Sequence, residues 1–204
     1  MCDKNGWELK LSAIDWDAKD ALLAQGNINC IWNGFTMEGR EDGYTFSDPY
    51  MLNEQVIVVK AGSDISDFAG LSGKTVMTQV DSAALDVLEG DQAEVAATFK
   101  GGAAQTIGDY NNAFMQLDSG MIDAVACDLS IAQYQIAANP DKYVQLFTPL
   151  STEHYAVGFK KGDTELAQKV TETLKQLDAD GTVKELCEKY ASYGISYDNW
   201  VLGK

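Results

Sequence analysis

The apolar residues of this 204-residue chain switch repeatedly between a period of two and a period near 3.6. That switching restricts the fold more than any other feature. A two-residue period suits one face of a strand, and a 3.6-residue period suits one face of a helix. Trp7-Glu8-Leu9-Lys10-Leu11 alternates and predicts a strand. Asp17 offers an N-cap, with Asp20 in capping-box position, for a helix carrying Ala18, Ala21, Leu22 and Ala24 that Gly26 closes. Residues 28–33 read as a strand and 34–44, polar with Gly39 and Gly43, as a loop. Strands are predicted over 55–60, 76–79, 122–127 and 154–160. Between them fall a helix capped by Asp81 or Ser82, a helix capped by Asn111 or Asn112 and closed by Gly120, and a helix over 130–138 that Pro140 stops. Leu166, Val170, Leu174 and Leu177, then Val183, Leu186, Cys187 and Tyr190, recur at helical spacing. This alternation predicts an α/β fold with largely parallel sheets.

Composition excludes several functions. Fifteen Lys and Arg against 31 Asp and Glu leave a net charge of −16, which repels polyphosphate, so no nucleic acid is expected as a partner. The one histidine, His154, rules out multi-histidine metal sites, and neither metal nor cofactor is expected. Cys2, Cys30, Cys127 and Cys187 lie far apart and form no CxxC motif. Cys30 and Cys127 sit in apolar runs and read as small buried thiols, although distant cysteines can still meet in space. No apolar run approaches the roughly 20 residues that span a bilayer. Residues 1–6 hold no leader-like apolar stretch, so the chain as it stands reads as cytoplasmic or as having lost its leader. Only three prolines and no flexible linker occur, so two domains would have to be joined by ordered strands.

Several segments occur in the order of one known family. They are Ile14-Asp15-Trp16-Asp17, then Asn33-Gly34-Phe35-Thr36-Met37-Glu38-Gly39-Arg40, then Thr45-Phe46-Ser47-Asp48-Pro49-Tyr50. Leu71-Ser72-Gly73-Lys74-Thr75-Val76, Ile122-Asp123-Ala124-Val125-Ala126-Cys127-Asp128 and Tyr155-Ala156-Val157-Gly158-Phe159-Lys160-Lys161-Gly162-Asp163 follow. Over essentially its whole length the chain resembles the amino-acid-binding family of ABC-transporter solute-binding proteins. The resemblance implies a periplasmic-binding-protein type II fold, with two Rossmann-like α/β lobes joined by two crossover strands and one amino acid bound between them. Lobe one would be 1–50 and 156–204, lobe two 55–151, and the crossovers 50–55 and 152–156. The implied partners are a free polar or charged L-amino acid and an ABC permease. The implied location of the full-length protein is extracytoplasmic, periplasmic or as a cell-surface lipoprotein.

One departure from the family pattern has a structural consequence. The family begins with a strand and a helix before the segment equivalent to 7–11, and here 1–6 looks like the tail of that helix. The absent strand lies centrally in lobe one, so its loss would leave two open strand edges and uncover Leu9, Leu11, Ile31 and Trp32. Two remedies are expected: the flanking strands pair directly and close the gap, or, as the favoured one, two chains fill each other's gap in a symmetric homodimer.

Site residues follow from chemistry and resemblance together. Arg40 would hold the ligand carboxylate with its planar guanidinium, although its loop is one residue shorter than the common form. Gly34 would let backbone approach the ligand, with Asn33 beside it, and Thr36 would donate its N–H or hydroxyl to the carboxylate. Asp128, at the carboxyl end of a strand, would accept from the ligand ammonium; it could equally cap the following helix. Trp16 would cover the ligand side chain. Gln79, Ser82 and Ala83 would contribute from a strand end and helix start that favour an anion. Asp81 and Cys127 are weaker candidates for side-chain contact. Two rival functions compete with binding: a dehydratase-like enzyme on the same fold, with Glu38 or Glu153 as acid–base group beside His154, and a truncated, non-binding oligomer.

Overall fold

The computed structural model describes residues 1–203. The chain runs α1 (Cys2–Asn5), a 3-10 turn (Trp16–Ala18), α2 (Lys19–Ala24), β1 (Ile31–Thr36), β2 (Tyr44–Phe46), β3 (Met51–Lys60), β4 (Val76–Gln79), α3 (Ala83–Glu89), α4 (Ala93–Ala96) and β5 (Gln105–Ile107). It continues through α5 (Tyr110–Ser119), β6 (Ala124–Asp128), α6 (Leu129–Ala138), β7 (Tyr143–Gln145), β8 (Ser151–Lys160), α7 (Thr164–Ala179) and α8 (Thr182–Lys189). These elements make two compact units. Unit one comprises Met1–Asn53, Glu153–Ala191 and Ile195–Lys204, and unit two Glu54–Thr152 with Ser192–Gly194. Residues 192–194 thus pack within unit two, not with lobe one as the sequence reading has them; Tyr193 stacks on Tyr134 of α6 at 5.8 Å and 5°.

In unit two, β3 pairs antiparallel with β6 and β7, while β4 pairs parallel with β5 and β6. The apolar runs of β3 and β6 bury both faces. Ile57, Val59, Ala124 and Ala126 join one core, and Val56, Val58, Val125 and Cys127 the other. A strand buried on both sides reads as a continuous apolar stretch, and such a stretch carries no record of direction. The expectation of largely parallel sheets therefore fails: among the described pairs, only those of β4 are parallel.

In unit one, β8 pairs antiparallel with β1 and β2. Its two faces differ in size. Tyr155, Val157 and Phe159 fill a core with α7 and α8, whereas Ala156 and Gly158 present small residues to Phe35 of β1. A Cβ at position 158 would come within 2.6 Å of the Phe35 ring. Around Phe35 a second core gathers Leu23, Ile31 and Tyr44.

Four local expectations are corrected. Residues 7–15 form no strand, and Leu9 and Leu11 are exposed. Alternation creates an apolar face, but a strand also needs a hydrogen-bonding partner, and none of the described residues supplies one. Strand β1 runs from 31 to 36, because Gly34 sits at φ +85° in a β-bulge that keeps the chain extended, not in a loop. Asp17 does not cap: α2 begins at Lys19 after the 3-10 turn, and no side chain bonds its first turn. Helix α5 is capped by Asp109, whose Oδ1 accepts from the N–H of Asn112 at 2.9 Å, and not by Asn111 or Asn112. Ser82 caps α3 as read, accepting from the N–H of Leu85 at 3.2 Å. No cysteine is bridged, and Cys127 and Cys187 are buried.

Gly158→Ala is expected to lower unfolding free energy by about 1–3 kcal/mol, the range for forcing volume into a packed core. Urea denaturation followed by circular dichroism measures it. An unchanged midpoint would show that Phe35 does not depend on this space.

Candidate functional site

Each unit carries its own group of candidate residues. In unit one, two of them, Trp16 and Arg40, are organised by Phe35, which is 1% exposed. Trp16 meets the Phe35 ring edge-on, with centroids 5.6 Å apart at 82°. The Arg40 guanidinium lies 5.3 Å from the Phe35 centroid, and the Lys19 ammonium 4.9 Å from that of Trp16. Two cationic side chains therefore border a pair of rings that meet edge to face. The turn that holds Arg40 is tied internally: its N–H donates to the Met37 carbonyl at 3.1 Å, and its carbonyl accepts from Gly43 and Tyr44. Glu38 in the same turn accepts from the backbone N–H of His154 at 2.9 Å and lies 2.7 Å from its Nδ1.

Thr36 points elsewhere. Its hydroxyl donates to Glu153 Oε1 at 2.6 Å, and the Asn53 amide donates to the same oxygen at 2.8 Å. All three side chains are buried. A hydroxyl has one proton, so with that proton on Glu153 the Thr36 oxygen acts toward any other group as an acceptor. This alters the expectation that Thr36 donates its hydroxyl to a carboxylate. Asn33 is exposed in the bulge. Gly34 has a tighter reason to be glycine than ligand approach, because a Cβ there would lie 3.1 Å from the Tyr155 ring.

In unit two, Asp128 ends β6 directly opposite Gln55 of β3. The fully buried Gln55 donates from Nε2 to Asp128 Oδ1 at 2.9 Å. Asp128 also stands at the N-cap position of α6, but its side chain makes no capping bond. Beside it runs a set of neutral hydroxyls: Thr78 Oγ1 lies 3.2 Å from Ser82 Oγ and 3.4 Å from the Tyr110 hydroxyl. Burial first, and then the nearby Asp128 charge, push the Tyr110 phenol far up, so it stays protonated. The same two causes raise the Cys127 thiol, which faces the core and is unavailable to a ligand. Gln79 donates to the Gly108 carbonyl at 2.9 Å and joins β4 to the β5–α5 loop. Ala83 is buried at the first turn of α3, a helix of seven residues. Asp81 is the only described non-glycine residue with positive φ, +58°. A cavity of about 280 Å³ opens nearby, lined by Tyr110, Asn111, Ser130, Ile131, Tyr134 and Gln135, none of them charged.

Sequence reasoning missed Phe35, Gln55, Tyr110 and Thr78 as site residues, and read Glu153 only as a catalytic acid. Gln55 and Thr78 left one signal, since each is a polar residue directly beside the apolar run of its strand.

Comparison with known proteins then decides the family. Residues 1–193 match the bacterial extracellular solute-binding proteins, family 3. The chain belongs to that family. A substrate-binding protein of an ABC uptake transporter from Streptococcus pneumoniae, solved with bound histidine, is 31% identical with a TM-score of 0.89, covering 96% of this chain and 80% of that one. The glutamine-binding protein GlnH of Bacillus subtilis is 28% identical over 83% of this chain, and a probable histidine-binding protein of Neisseria gonorrhoeae 23% identical over 93%. The chain spans 60% and 70% of the length of these two relatives respectively. The fold is that of type II periplasmic binding proteins, and the matched proteins are binding proteins for amino acids, not enzymes. Among the described residues, no helix is long and apolar enough to cross a membrane, and no cluster of His, Cys, Asp and Glu could hold a metal ion.

Asp128→Asn should change stability by less than about 1 kcal/mol, because Asn keeps the acceptor that Gln55 uses and no cap is lost. Thermal melting tests this. A much larger drop would mean that the carboxylate caps α6 after all.

Proposed function

We propose that this solute-binding protein captures a free polar or charged L-amino acid outside the cytoplasm and hands it to an ABC permease. The observation that supports this most is the complementarity of two charged groups to a zwitterion. Arg40, steadied on the buried Phe35, suits an α-carboxylate; Asp128, anchored by Gln55, suits an α-ammonium. The Thr36 oxygen, already donating to Glu153, adds an acceptor for the ammonium. Trp16 supplies an apolar wall. Ser82 and Tyr110 supply hydroxyls, with Ala83 keeping the α3 start small and Gln79 and Gly34 acting through the backbone they hold. Family relatives that bind histidine, glutamine or arginine are consistent with a polar side chain. Capture would proceed by a hinge motion at the strand crossings 53–54 and 152–153.

A melting-shift screen against the twenty amino acids tests the proposal. A ligand that binds only the native state at a hundredfold excess over Kd adds about 2.7 kcal/mol, and the melting temperature must rise. No shift with any of them contradicts the reading. With the best ligand, calorimetry should find no detectable binding to Arg40→Ala and a loss of about 2 kcal/mol or more for Arg40→Lys, which turns a bidentate fork into a point charge. Asp128→Asn should lose about 1.5–3 kcal/mol of affinity.

Self-association is a separate proposal, favoured by β1 standing at the end of the strand order with Leu9, Leu11 and Trp32 exposed. Light scattering at micromolar concentration should find a dimer; a strict monomer contradicts it.

A further inference from the structure

Strand β3 carries two carboxamides two residues apart, Asn53 at 1% exposure and Gln55 at 0%. Residues i and i+2 of a strand share a face. The chain passes from unit one to unit two between them, Asn53 ending a segment of the first and Glu54 beginning the second. Buried amides cost stability unless they are bonded, and apolar residues of like size would pack a strand core at no such cost. Each amide reaches a candidate ligand group of its own unit. Gln55 donates to Asp128. Asn53 donates to Glu153, the first unit-one residue of β8, which accepts the Thr36 hydroxyl.

We infer that the two crossover strands carry the positioning residues of both half-sites, Gln55 orienting the Asp128 carboxylate and Glu153, braced by Asn53, orienting the Thr36 hydroxyl. The inference rests on the amino-acid-binding reading above. Physically, an aspartate side chain at a strand end has two free torsions. The Gln55 bond fixes Oδ1 and so determines where Oδ2 can meet an ammonium. Glu153 likewise takes the Thr36 hydroxyl proton in a hydrogen bond and leaves that oxygen to act as an acceptor.

Gln55→Glu tests the first half, because it keeps size and shape and replaces the donor with a titratable acid. Two carboxyls then face each other and share one proton in the acid range. At pH 5 the protonated acid donates to Asp128 as the amide did; at pH 8 both are ionised and repel. Asp128 also faces Tyr110 from α5 and Cys127 within β6, and burial keeps both protonated over this range. Using the amino acid with the largest melting shift, Gln55→Glu should bind at least tenfold more weakly at pH 8 than at pH 5, while wild type changes less than about twofold. A flat profile in Gln55→Glu overturns the inference. Gln55→Met, which removes the donor without adding charge, should bind at least tenfold more weakly than wild type at both pH values; wild-type affinity overturns it. For the second half, Glu153→Gln keeps an acceptor for Thr36 and should bind within about threefold of wild type, whereas Glu153→Met should lose tenfold or more. Equal affinities for the two overturn it. Should wild type bind no amino acid, the functional reading fails. The Gln55 contact is then decided without ligand: the melting temperature of Gln55→Glu must fall relative to wild type as pH rises from 5 to 8, and a constant difference refutes it.

Discussion

Phe35 occupies space that exists only because position 158 has no side chain. With the ring there, Trp16 can lie edge-on against it and the Arg40 guanidinium can rest over it. The small face of β8, Ala156 and Gly158, is thus a precondition of the unit-one site. The large face, Tyr155, Val157 and Phe159, does the conventional work of a core with α7 and α8. One strand separates stability and site formation by alternation alone.

Charge explains how an acidic protein can still recognise an amino acid. The chain carries a net charge of −16, but in unit one Arg40 and Lys19 lie against aromatic rings. In unit two the Asp128 carboxylate stands beside hydroxyls and an amide, and burial keeps the Tyr110 phenol and the Cys127 thiol neutral. The proteins that the chain matches are binding proteins for amino acids, not enzymes.

Much of the fold was legible because burial leaves a period. The strand at 76–79 and the helix after Ser82 stand where their patterns predict. Failures have specific causes. Residues 7–11 have the pattern of a strand but no partner, and pattern does not supply one. Gly34 was read as the start of a loop, whereas its positive φ makes a bulge inside β1. Strand direction was illegible because β3 and β6 are apolar on both faces. As candidates, Arg40, Thr36, Trp16 and Asp128 are legible through motif order. Gln55 and Glu153 escaped because their role depends on register, Gln55 opposite Asp128, and on a contact between residues 36 and 153. No local spacing encodes either.

The central claim is that Arg40 takes the carboxylate and Asp128 the ammonium of one amino acid. Calorimetry of the wild type, Arg40→Ala and Asp128→Asn against the best ligand, its decarboxylated amine and its deaminated acid tests this most directly. The account predicts coupling in matched pairs: Asp128→Asn costs affinity for the amine but not for the acid, and Arg40→Ala costs affinity for the acid but not for the amine. Equal losses for both analogues in each variant would contradict it.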